Sequence, residues 1–314
     1  MALPRIHGYS ALAEAVRAPV LEAFPNREFR VLATPEELAS EIGEVEILLA
    51  LRPPSHLWHL AKRLRLIQMT GAGVDALLPA PGLEERVQIA NARGVHAGQM
   101  SEYALGMMLA FARRLPRAIA QQRERRWHIF GARRLEGKTL GVLGLGSIGA
   151  EVARKASLLG MRVIGTQRAP KPCSYARVVG PDETERVVRE SDFLVIVLPL
   201  TEETRGLLGP KLLRAMKPSA VLVNMARGGI VDEEELAVML HENAIEGAAL
   251  DVFEEEPLPE TSPLWDAPNA ILTPHNAGIA SDYMERVAKI FVENIGRAER
   301  GEPLLNPVDR TRGY

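Results

Sequence analysis

Cysteine is almost absent from this chain of 314 residues: Cys173 is the only one, so no internal disulfide can form. This excludes small secreted domains that depend on disulfides, and it fits a reducing compartment. The sequence also has no apolar run near the roughly 18 residues that a membrane-spanning helix needs. Residues 1–10 lack the apolar core of a signal peptide. We therefore expect a cytoplasmic protein that does not bind a membrane.

The net charge of the chain is also small. The sequence has 38 Lys and Arg residues against 40 Asp and Glu residues, which leaves −2 at neutral pH. Such a balance gives no electrostatic basis for binding nucleic acid. Aromatic residues make up only 5%, while the hydrophobic fraction of 46% and the charged fraction of 25% are those of an ordinary globular protein. A chain of this length exceeds the usual size of one domain, so we expect two.

A glycine motif stands out in the middle of the chain. A short apolar run at residues 140–143 leads into G-x-G-x-x-G, and a helix-forming run at residues 150–159 follows. In dinucleotide-binding folds the first glycine permits a sharp turn, the second lets the backbone approach the pyrophosphate, and the third packs the helix against the strand. The N–H groups at the start of the helix then face the phosphates. The predicted pyrophosphate site comprises Gly144, Gly146, Ser147, Ile148 and Gly149.

Strands and helices alternate from Thr139 onward, which predicts a parallel, doubly wound sheet. The predicted strands are residues 140–143, 162–166, 193–198, 221–224, 248–252 and 271–273, with 46–51 and 66–69 earlier in the chain. Helices are predicted at residues 35–42, with Thr34 as N-cap, and from about residue 281 to residue 300. The predicted helix at residues 98–115 is apolar on most of its circumference, so it is either a core helix or one shared with a partner subunit.

The dinucleotide-binding pattern starts only near residue 140, so the first hundred residues must form a separate domain. We expect residues 1–97 and 282–314 to form a discontinuous substrate domain, and residues 98–281 to form the dinucleotide-binding domain. The predicted fold class is α/β, with two Rossmann-like domains on doubly wound parallel sheets. Because the sequence ends soon after its last helix, we expect no C-terminal regulatory domain.

Polar residues follow three predicted strands at the ends where a parallel α/β sheet binds ligands. The stretches are Asn224-Met225-Ala226-Arg227-Gly228, Asp251-Val252-Phe253-Glu254-Glu255-Glu256-Pro257 and Thr273-Pro274-His275. In order and spacing they resemble motifs of the D-isomer-specific 2-hydroxyacid dehydrogenase family, as does Pro199-Leu200-Thr201-Glu202-Glu203-Thr204. The resemblance extends over nearly the whole chain.

The resemblance implies a catalytic triad of Arg227, Glu256 and His275. Arg227 would hold the carboxylate and carbonyl oxygens of a 2-keto acid in a fork that lysine could not reproduce. His275 would give a proton to the carbonyl oxygen as hydride arrives, and would accept it in the reverse direction. Glu256 would orient the imidazole and favour its protonated form. Spacing alone does not separate Glu256 from the two glutamates before it; the family pattern selects it.

The resemblance also implies that Asp251 accepts a hydrogen bond from the nicotinamide carboxamide, with a turn cap as the alternative role. NAD-preferring members carry an acidic residue at the end of the second strand, where this chain has Gln167 followed by Arg168. Arginine attracts a 2′-phosphate, so we expect NADP(H) to be favoured, with NAD(H) as the alternative if Arg168 merely faces water. Other residues expected at the cofactor are Leu198, Pro199, Thr204, Met225, Ala226 and Gly278.

The turn after the strand at residues 66–69 resembles the family's substrate loop. Its members Gly71, Ala72 and Gly73 are small, which lets an anion such as the substrate carboxylate approach the backbone N–H groups. Arg52 occupies a family position near the substrate, with a structural salt bridge as the alternative. Two stretches look like those of glyoxylate and hydroxypyruvate reductases: the run Gln99-Met100-Ser101-Glu102-Tyr103-Ala104, and Pro257-Leu258-Pro259 followed by Pro263-Leu264-Trp265.

We therefore predict an oxidoreductase that transfers a hydride from NAD(P)H to a small 2-keto acid, glyoxylate or hydroxypyruvate, and produces the D-2-hydroxy acid. We expect a homodimer built on the helix at residues 98–115. Alternatives within the family are D-3-phosphoglycerate dehydrogenase and D-lactate dehydrogenase, and the non-enzymatic alternative is a nicotinamide-sensing, corepressor-like binding protein. No metal site is expected, because His56 and His59 lack a nearby carboxylate or cysteine.

Overall fold

The computed structural model describes residues 5–74 and 77–311, and the chain divides into two compact units. One unit combines Met1–His96 with Ala280–Tyr314, and the other is Ala97–Ile279. Over the described residues, no helix combines the length and apolarity that crossing a bilayer requires. The same residues contain no group of three or more His, Cys, Asp or Glu side chains placed to hold a metal ion.

The strands and helices alternate along most of the chain. The strands are β1 (Ile6–Tyr9), β2 (Phe29–Leu32), β3 (Ile47–Ala50), β4 (Leu66–Met69), β5 (Gln88–Ala90), β6 (Thr139–Leu143), β7 (Arg162–Thr166), β8 (Arg177–Val179), β9 (Phe193–Ile196), β10 (Val221–Asn224), β11 (Gly247–Leu250) and β12 (Ala270–Leu272). The α-helices are α1 (Arg17–Ala23), α2 (Pro35–Glu41), α3 (Ala97–Ala112), α4 (Leu115–Arg123), α5 (Ser147–Leu158), α6 (Thr184–Glu190), α7 (Pro210–Leu213), α8 (Glu233–His241) and α9 (Tyr283–Arg300). Short 3₁₀ helices occupy Ala11–Val16, Ser55–Leu60 and Pro181–Glu183.

The first unit contains a five-stranded parallel sheet in the order β2-β1-β3-β4-β5. Alternate residues of β3 enter different apolar clusters: Leu48 belongs to one, and Leu49 belongs to another. The second cluster is completed by Phe291 of α9, so the end of the chain belongs to the core of this unit. Helix α2 begins as predicted, because the Thr34 side chain accepts the N–H of Glu37 at 3.2 Å.

The second unit contains a seven-stranded parallel sheet in the order β12-β11-β10-β9-β6-β7-β8. Residues of β9 alternate between two apolar clusters: Phe193 joins the one that includes α3 and α5, and Leu194 joins the one that includes α6 and α8. A parallel sheet buried on both faces is the doubly wound arrangement. The predicted α/β class with two parallel-sheet domains is confirmed.

Several predicted boundaries were wrong. The helix predicted at residues 98–115 ends at Ala112, because Arg114 takes a left-handed conformation with φ of 54° and a new helix starts beyond it. The helix predicted at residues 150–159 already begins at Ser147, since Gly149 lies inside its first turn. The strands predicted at residues 193–198 and 248–252 stop two residues earlier, where the chain leaves the sheet. Strands β1, β2, β5 and β8 were not predicted.

Candidate active site

The glycine loop joins β6 to α5 at the carboxyl end of the second unit's sheet. Gly144 has φ of +104°, and a Cβ on Gly149 would lie 2.1 Å from the carbonyl oxygen of Gly144. Glycine is therefore required at both positions if α5 is to start so close to the strand. A Cβ on Gly146 would meet nothing within 4 Å, and no side chain caps the helix there. The loop thus leaves an open helix N-terminus, which fits a dinucleotide pyrophosphate.

The last residue of β7 and the residue after it brace this loop. The backbone carbonyl of Thr166 accepts the N–H of Leu145 at 2.8 Å, and its hydroxyl accepts the N–H of Gly144 at 3.2 Å. The Gln167 amide donates to the carbonyl of Leu145 at 3.0 Å and accepts the N–H of Lys171 at 2.9 Å. Gln167 therefore supports the backbone at the position where an acidic residue would bind ribose.

Arg168 follows directly, at the surface. Its side chain is 55% exposed and pairs with the carboxylate of Glu203. A guanidinium at this strand end suits an anionic 2′-phosphate. The paired carboxylate lies in the loop after β9, so the two strand ends meet on this side of the sheet.

The loop after β9 is held by one hydroxyl. Thr204 donates to the carbonyl of Pro199 at 2.6 Å and accepts the N–H of Thr201 at 2.8 Å. The predicted cofactor residue Thr204 thus shapes the loop that contains Leu198 and Pro199. The strands β6 and β9 are neighbours although β7 and β8 intervene in the chain, so the glycine loop and this loop flank the switch point of the sheet.

The imidazole and the carboxylate of the predicted triad are in contact. Nδ1 of His275 lies 2.8 Å from Oε2 and 3.0 Å from Oε1 of Glu256. A carboxylate only accepts hydrogen bonds, so Nδ1 carries a proton and Nε2 is the atom for proton exchange with a ligand. The N–H of Phe253 donates to Oε1 at 3.2 Å, which helps to hold the carboxylate. The two loops follow the adjacent strands β11 and β12.

Asp251 is the centre of the turn that carries His275. It is 1% exposed, and its Oδ1 accepts the hydroxyl of Thr273 at 2.6 Å and the N–H of Asn276 at 2.9 Å. Its Oδ2 accepts the N–H of Ala277 at 2.9 Å, and its backbone carbonyl accepts the N–H of His275 at 2.8 Å. His275 has φ of 52°, so this turn holds a side chain in the left-handed region. The turn-cap role weighed for Asp251 is therefore present in the structure.

A tyrosine extends this network. The hydroxyls of Tyr103 and Thr273 lie 2.7 Å apart, and because Thr273 donates to Asp251, Tyr103 donates to Thr273. Burial, together with the charge of Asp251, raises the pKa of Tyr103 to about 12. Tyr103 therefore stays protonated and serves as a donor over the physiological pH range. The sequence named Tyr103 only as a member of the reductase-like run at residues 99–104 and of the predicted helix, without a role of its own.

Arg227 lies on the loop after β10, beside the loop that carries Glu256. Asn224 shapes it: Oδ1 accepts the N–H of Ala226 at 3.2 Å and the amide donates to the carbonyl of Arg227 at 3.3 Å. One guanidinium nitrogen of Arg227 donates to the carbonyl of Ala226 at 2.7 Å. The sheet order β12-β11-β10 makes the loops of His275, Glu256 and Arg227 consecutive along one edge.

Sequence reasoning missed Glu233, the first residue of α8. Its Oε1 accepts the N–H of Glu254 at 2.6 Å, within the loop that carries Glu256. Burial, and to a smaller extent the charges of Glu254 and Glu256, raise the pKa of Glu233 to about 7. The available signal was weak, because glutamates in the first turn of a helix are common on stability grounds alone.

The predicted substrate residues belong to the first unit. Arg52 follows β3, and the loop Gly71-Ala72-Gly73 follows β4. The carbonyl of Gly71 accepts the N–H of Ala92 at 2.9 Å, and that of Ala72 accepts the Asn91 side chain at 2.8 Å. Within residues 5–74 and 77–311, the N–H groups of this loop have no acceptor. The carbonyls are thus engaged, while the N–H groups can meet an anion.

Comparisons with known proteins show which family the chain belongs to. Residues 105–277 match the NAD binding domain of D-isomer specific 2-hydroxyacid dehydrogenases. A glyoxylate reductase of Aeropyrum pernix is 37% identical over 290 residues, which cover 88% of this chain and 86% of that protein. The chain belongs to the D-isomer specific 2-hydroxyacid dehydrogenase family. It is thus an oxidoreductase of the class that uses NAD(P) to interconvert 2-keto and 2-hydroxy acids.

Two further matches bear on its length and fold. A D-3-phosphoglycerate dehydrogenase of Methanocaldococcus jannaschii is 34% identical over 297 residues, 92% of this chain but only 56% of that protein. The chain therefore spans little more than half the length of that relative. The structure of the NADPH-dependent glyoxylate/hydroxypyruvate reductase of Sinorhizobium meliloti, in complex with NADP and sulfate, is 30% identical, with a TM-score of 0.90 and 100% of both chains covered. The predicted family is confirmed.

Proposed function

We propose that this protein reduces glyoxylate or hydroxypyruvate with NADPH and releases the 2-hydroxy acid, in the D form where the product is chiral. The observation that carries this proposal is the His275–Glu256 pair, in which Nδ1 is bound to the carboxylate. The pair lies on the loops after β12 and β11, and β11 is the neighbour of β10, which leads to Arg227. The relatives named as glyoxylate or hydroxypyruvate reductases support this substrate class.

The three side chains divide the reaction between them. A bound reduced nicotinamide supplies the hydride that reaches C2 of the keto acid. Nε2 of His275 donates the proton that the carbonyl oxygen needs, and Glu256 stabilises the charge of the imidazolium. Arg227 holds the carboxylate and polarises the carbonyl oxygen. General acid–base catalysis of this kind contributes roughly 10²–10⁴-fold to the rate.

The cofactor is proposed to bind along the carboxyl edge of the second unit's sheet. The glycine loop would hold the pyrophosphate, and Arg168 would hold the 2′-phosphate once the contact with Glu203 is exchanged. Oδ2 of Asp251 accepts one hydrogen bond within the turn, which leaves it capacity for the nicotinamide carboxamide. Other residues proposed to line the cofactor are Leu198, Pro199, Thr204, Met225, Ala226 and Gly278.

Residues that follow β3 and β4 are also proposed to bind the substrate carboxylate. The N–H groups of Gly71, Ala72 and Gly73 and the side chain of Arg52 are the groups that would receive it. Replacing Arg52 with Ala should raise KM for the keto acid and leave Kd for NADPH unchanged. If Arg52→Ala changed only the Kd for NADPH and left KM for the keto acid unchanged, Arg52 would not be a substrate contact.

A panel of keto acids with both cofactors tests the function. We expect the highest kcat/KM with glyoxylate or hydroxypyruvate and NADPH, and D-glycerate from hydroxypyruvate; glycolate, the product from glyoxylate, has no stereocentre. A preference for 3-phosphohydroxypyruvate or pyruvate would assign the protein to the D-3-phosphoglycerate or D-lactate dehydrogenase alternative. Tight NADPH binding without turnover of any of the four acids would refute the proposal in favour of a nicotinamide-sensing binding protein.

A homodimer is also proposed, with a different surface from the one first considered. The apolar residues of α3, such as Ala104 and Met108, are buried within the second unit. Trp127 and Ile129, which follow α4, are 97% and 88% exposed, so a second copy of the chain is the proposed cover for residues 115–130. Light scattering should give a dimer for the native chain and a monomer for the Trp127→Asp, Ile129→Asp double variant. A cytoplasmic location remains a prediction.

A further inference from the structure

Glu233 lies outside the triad, but its carboxyl group contacts the loop that carries Glu256. We propose that Glu233 is a positioning residue: by accepting the N–H of Glu254 it holds residues 253–256 so that Glu256 stays aligned with His275. This inference rests on the proposed function, in which the alignment of Glu256 with His275 sets the rate. It assigns a role in turnover to a side chain that does not touch the substrate.

The first argument is that Glu233 stands on rigid backbone. The segment before it pairs with residues 206–208: the N–H of Gly206 donates to Gly229 at 2.7 Å, and the N–H of Leu208 donates to Ile230 at 3.0 Å. The N–H of Asp232 then donates back to Leu208 at 3.1 Å. Three backbone hydrogen bonds therefore hold the residues immediately before Glu233.

The second argument is that the contacted loop is held tightly from the same side. A Cβ on Gly228 would lie 2.0 Å from the carbonyl carbon of Phe253 and 2.3 Å from the nitrogen of Glu254, so the Arg227 loop touches the Glu256 loop backbone to backbone. The N–H of Phe253 in turn donates to the carboxylate of Glu256. A displacement of residues 253–254 would therefore be passed directly to the catalytic carboxylate.

The third argument concerns charge. The titratable groups that face Glu233 are the carboxylates of Glu254 and Glu256, and together with burial they oppose its ionisation. A glutamine could accept the same N–H without that penalty. Because the pKa of Glu233 lies above its ordinary value, the stabilisation of the folded state by its neutral form is present below pH 4.5 and is lost as pH rises through about 7. A carboxyl group whose ionisation is opposed by its surroundings supports a functional contact at this position.

Three substitutions at Glu233 distinguish the effect of side-chain length from the effect of charge. Glu233→Gln keeps the acceptor and removes the charge, Glu233→Asp keeps the charge but shortens the side chain, and Glu233→Ala removes both. We expect kcat with hydroxypyruvate to fall about 10- to 100-fold in the Ala and Asp variants and to recover largely in the Gln variant. The Kd for NADPH should not change. Glu234→Ala, an exposed neighbour in the same helical turn, is the matched control.

Two further readouts do not depend on turnover. The difference in Tm between Glu233→Gln and the native protein, in favour of the variant, should increase from pH 5 to pH 8. In the protein without substrate, ¹⁵N NMR of the His275 ring should show a weakened Nδ1 hydrogen bond in the Ala and Asp variants and a native one in the Gln variant. If the native protein turns over neither acid, the proposed function fails while this spectrum still tests the inference.

Native kcat and a native His275 spectrum in folded Glu233→Ala would overturn the inference. Equal losses of kcat in the Gln and Ala variants would also overturn it, because the charge of Glu233 rather than its hydrogen bond to Glu254 would then matter. If the Ala variant does not fold, the Asp and Gln variants decide on the same criteria.

Discussion

Asp251 provides the sharpest test of how the His275 turn is built. Its carboxylate accepts three hydrogen bonds from a buried position, two at Oδ1 and one at Oδ2. Asp251→Asn preserves the volume but replaces one oxygen by an NH₂ group. Whichever way the amide is oriented, at least one donor among Thr273, Asn276 and Ala277 faces another donor.

The expected loss of stability follows from that mismatch of donors. Ala277 is 4% exposed, so its N–H cannot turn to water if it loses the acceptor. Leaving a buried donor unsatisfied costs about 1–3 kcal/mol. For a domain of this size, such a loss lowers Tm by roughly 2–12 °C. Because the same turn carries His275, we expect kcat/KM to fall about 100-fold through misplacement of the imidazole.

The assay compares thermal unfolding of the cofactor-free protein with steady-state kinetics. Asp266→Asn, at an exposed position, is the control and should match the native protein in both. If Asp251 served only the nicotinamide carboxamide, Asp251→Asn would have native Tm without cofactor and a higher Kd for NADPH. That combination would refute the role in holding the turn.

Three other substitutions test separate parts of the site. His275→Ala should abolish nearly all turnover while NADPH still binds; normal turnover would reject the acid–base role, and isothermal titration checks the binding. Arg168→Ala should raise KM for NADPH far more than for NADH, because only NADPH carries the 2′-phosphate; equal effects would remove that argument. Gly149→Ala should weaken both cofactors, because its Cβ would lie 2.1 Å from the carbonyl oxygen of Gly144 and α5 would have to shift; an unchanged Kd for both would show that the helix N-terminus does not bind them.

The sequence was most informative where function needs particular residue types at strand ends. Gly144 and Gly149 could be assigned because a left-handed turn and a close helix approach exclude side chains. The pairing of Glu256 with His275 was implied by the family resemblance, because spacing alone did not separate Glu256 from the two glutamates before it; the two side chains are in contact in the structure. The glycine assignment depends on local backbone chemistry, which residue patterns encode, whereas the assignment of Glu256 depended on the family pattern.

Contacts between side chains and distant backbone could not be predicted in this way. Gln167 was considered only for its missing charge, yet its amide links the glycine loop at Leu145 to the backbone of Lys171. Glu233 was indistinguishable from its helical neighbours until the Glu254 N–H was found beside it. Such contacts depend on loop positions within a fraction of an ångström, which hydrophobic periodicity does not determine.

The interrupted connectivity of the first unit has a consequence for synthesis on the ribosome. Phe291 and its neighbours on α9 complete an apolar cluster with strands that precede the second unit in the chain. Everything that the second unit needs emerges before those residues, so it can fold while the first unit still lacks a helix. A nascent chain stalled after residue 279 should therefore expose the unfinished core of its own N-terminal half, where a chaperone would bind.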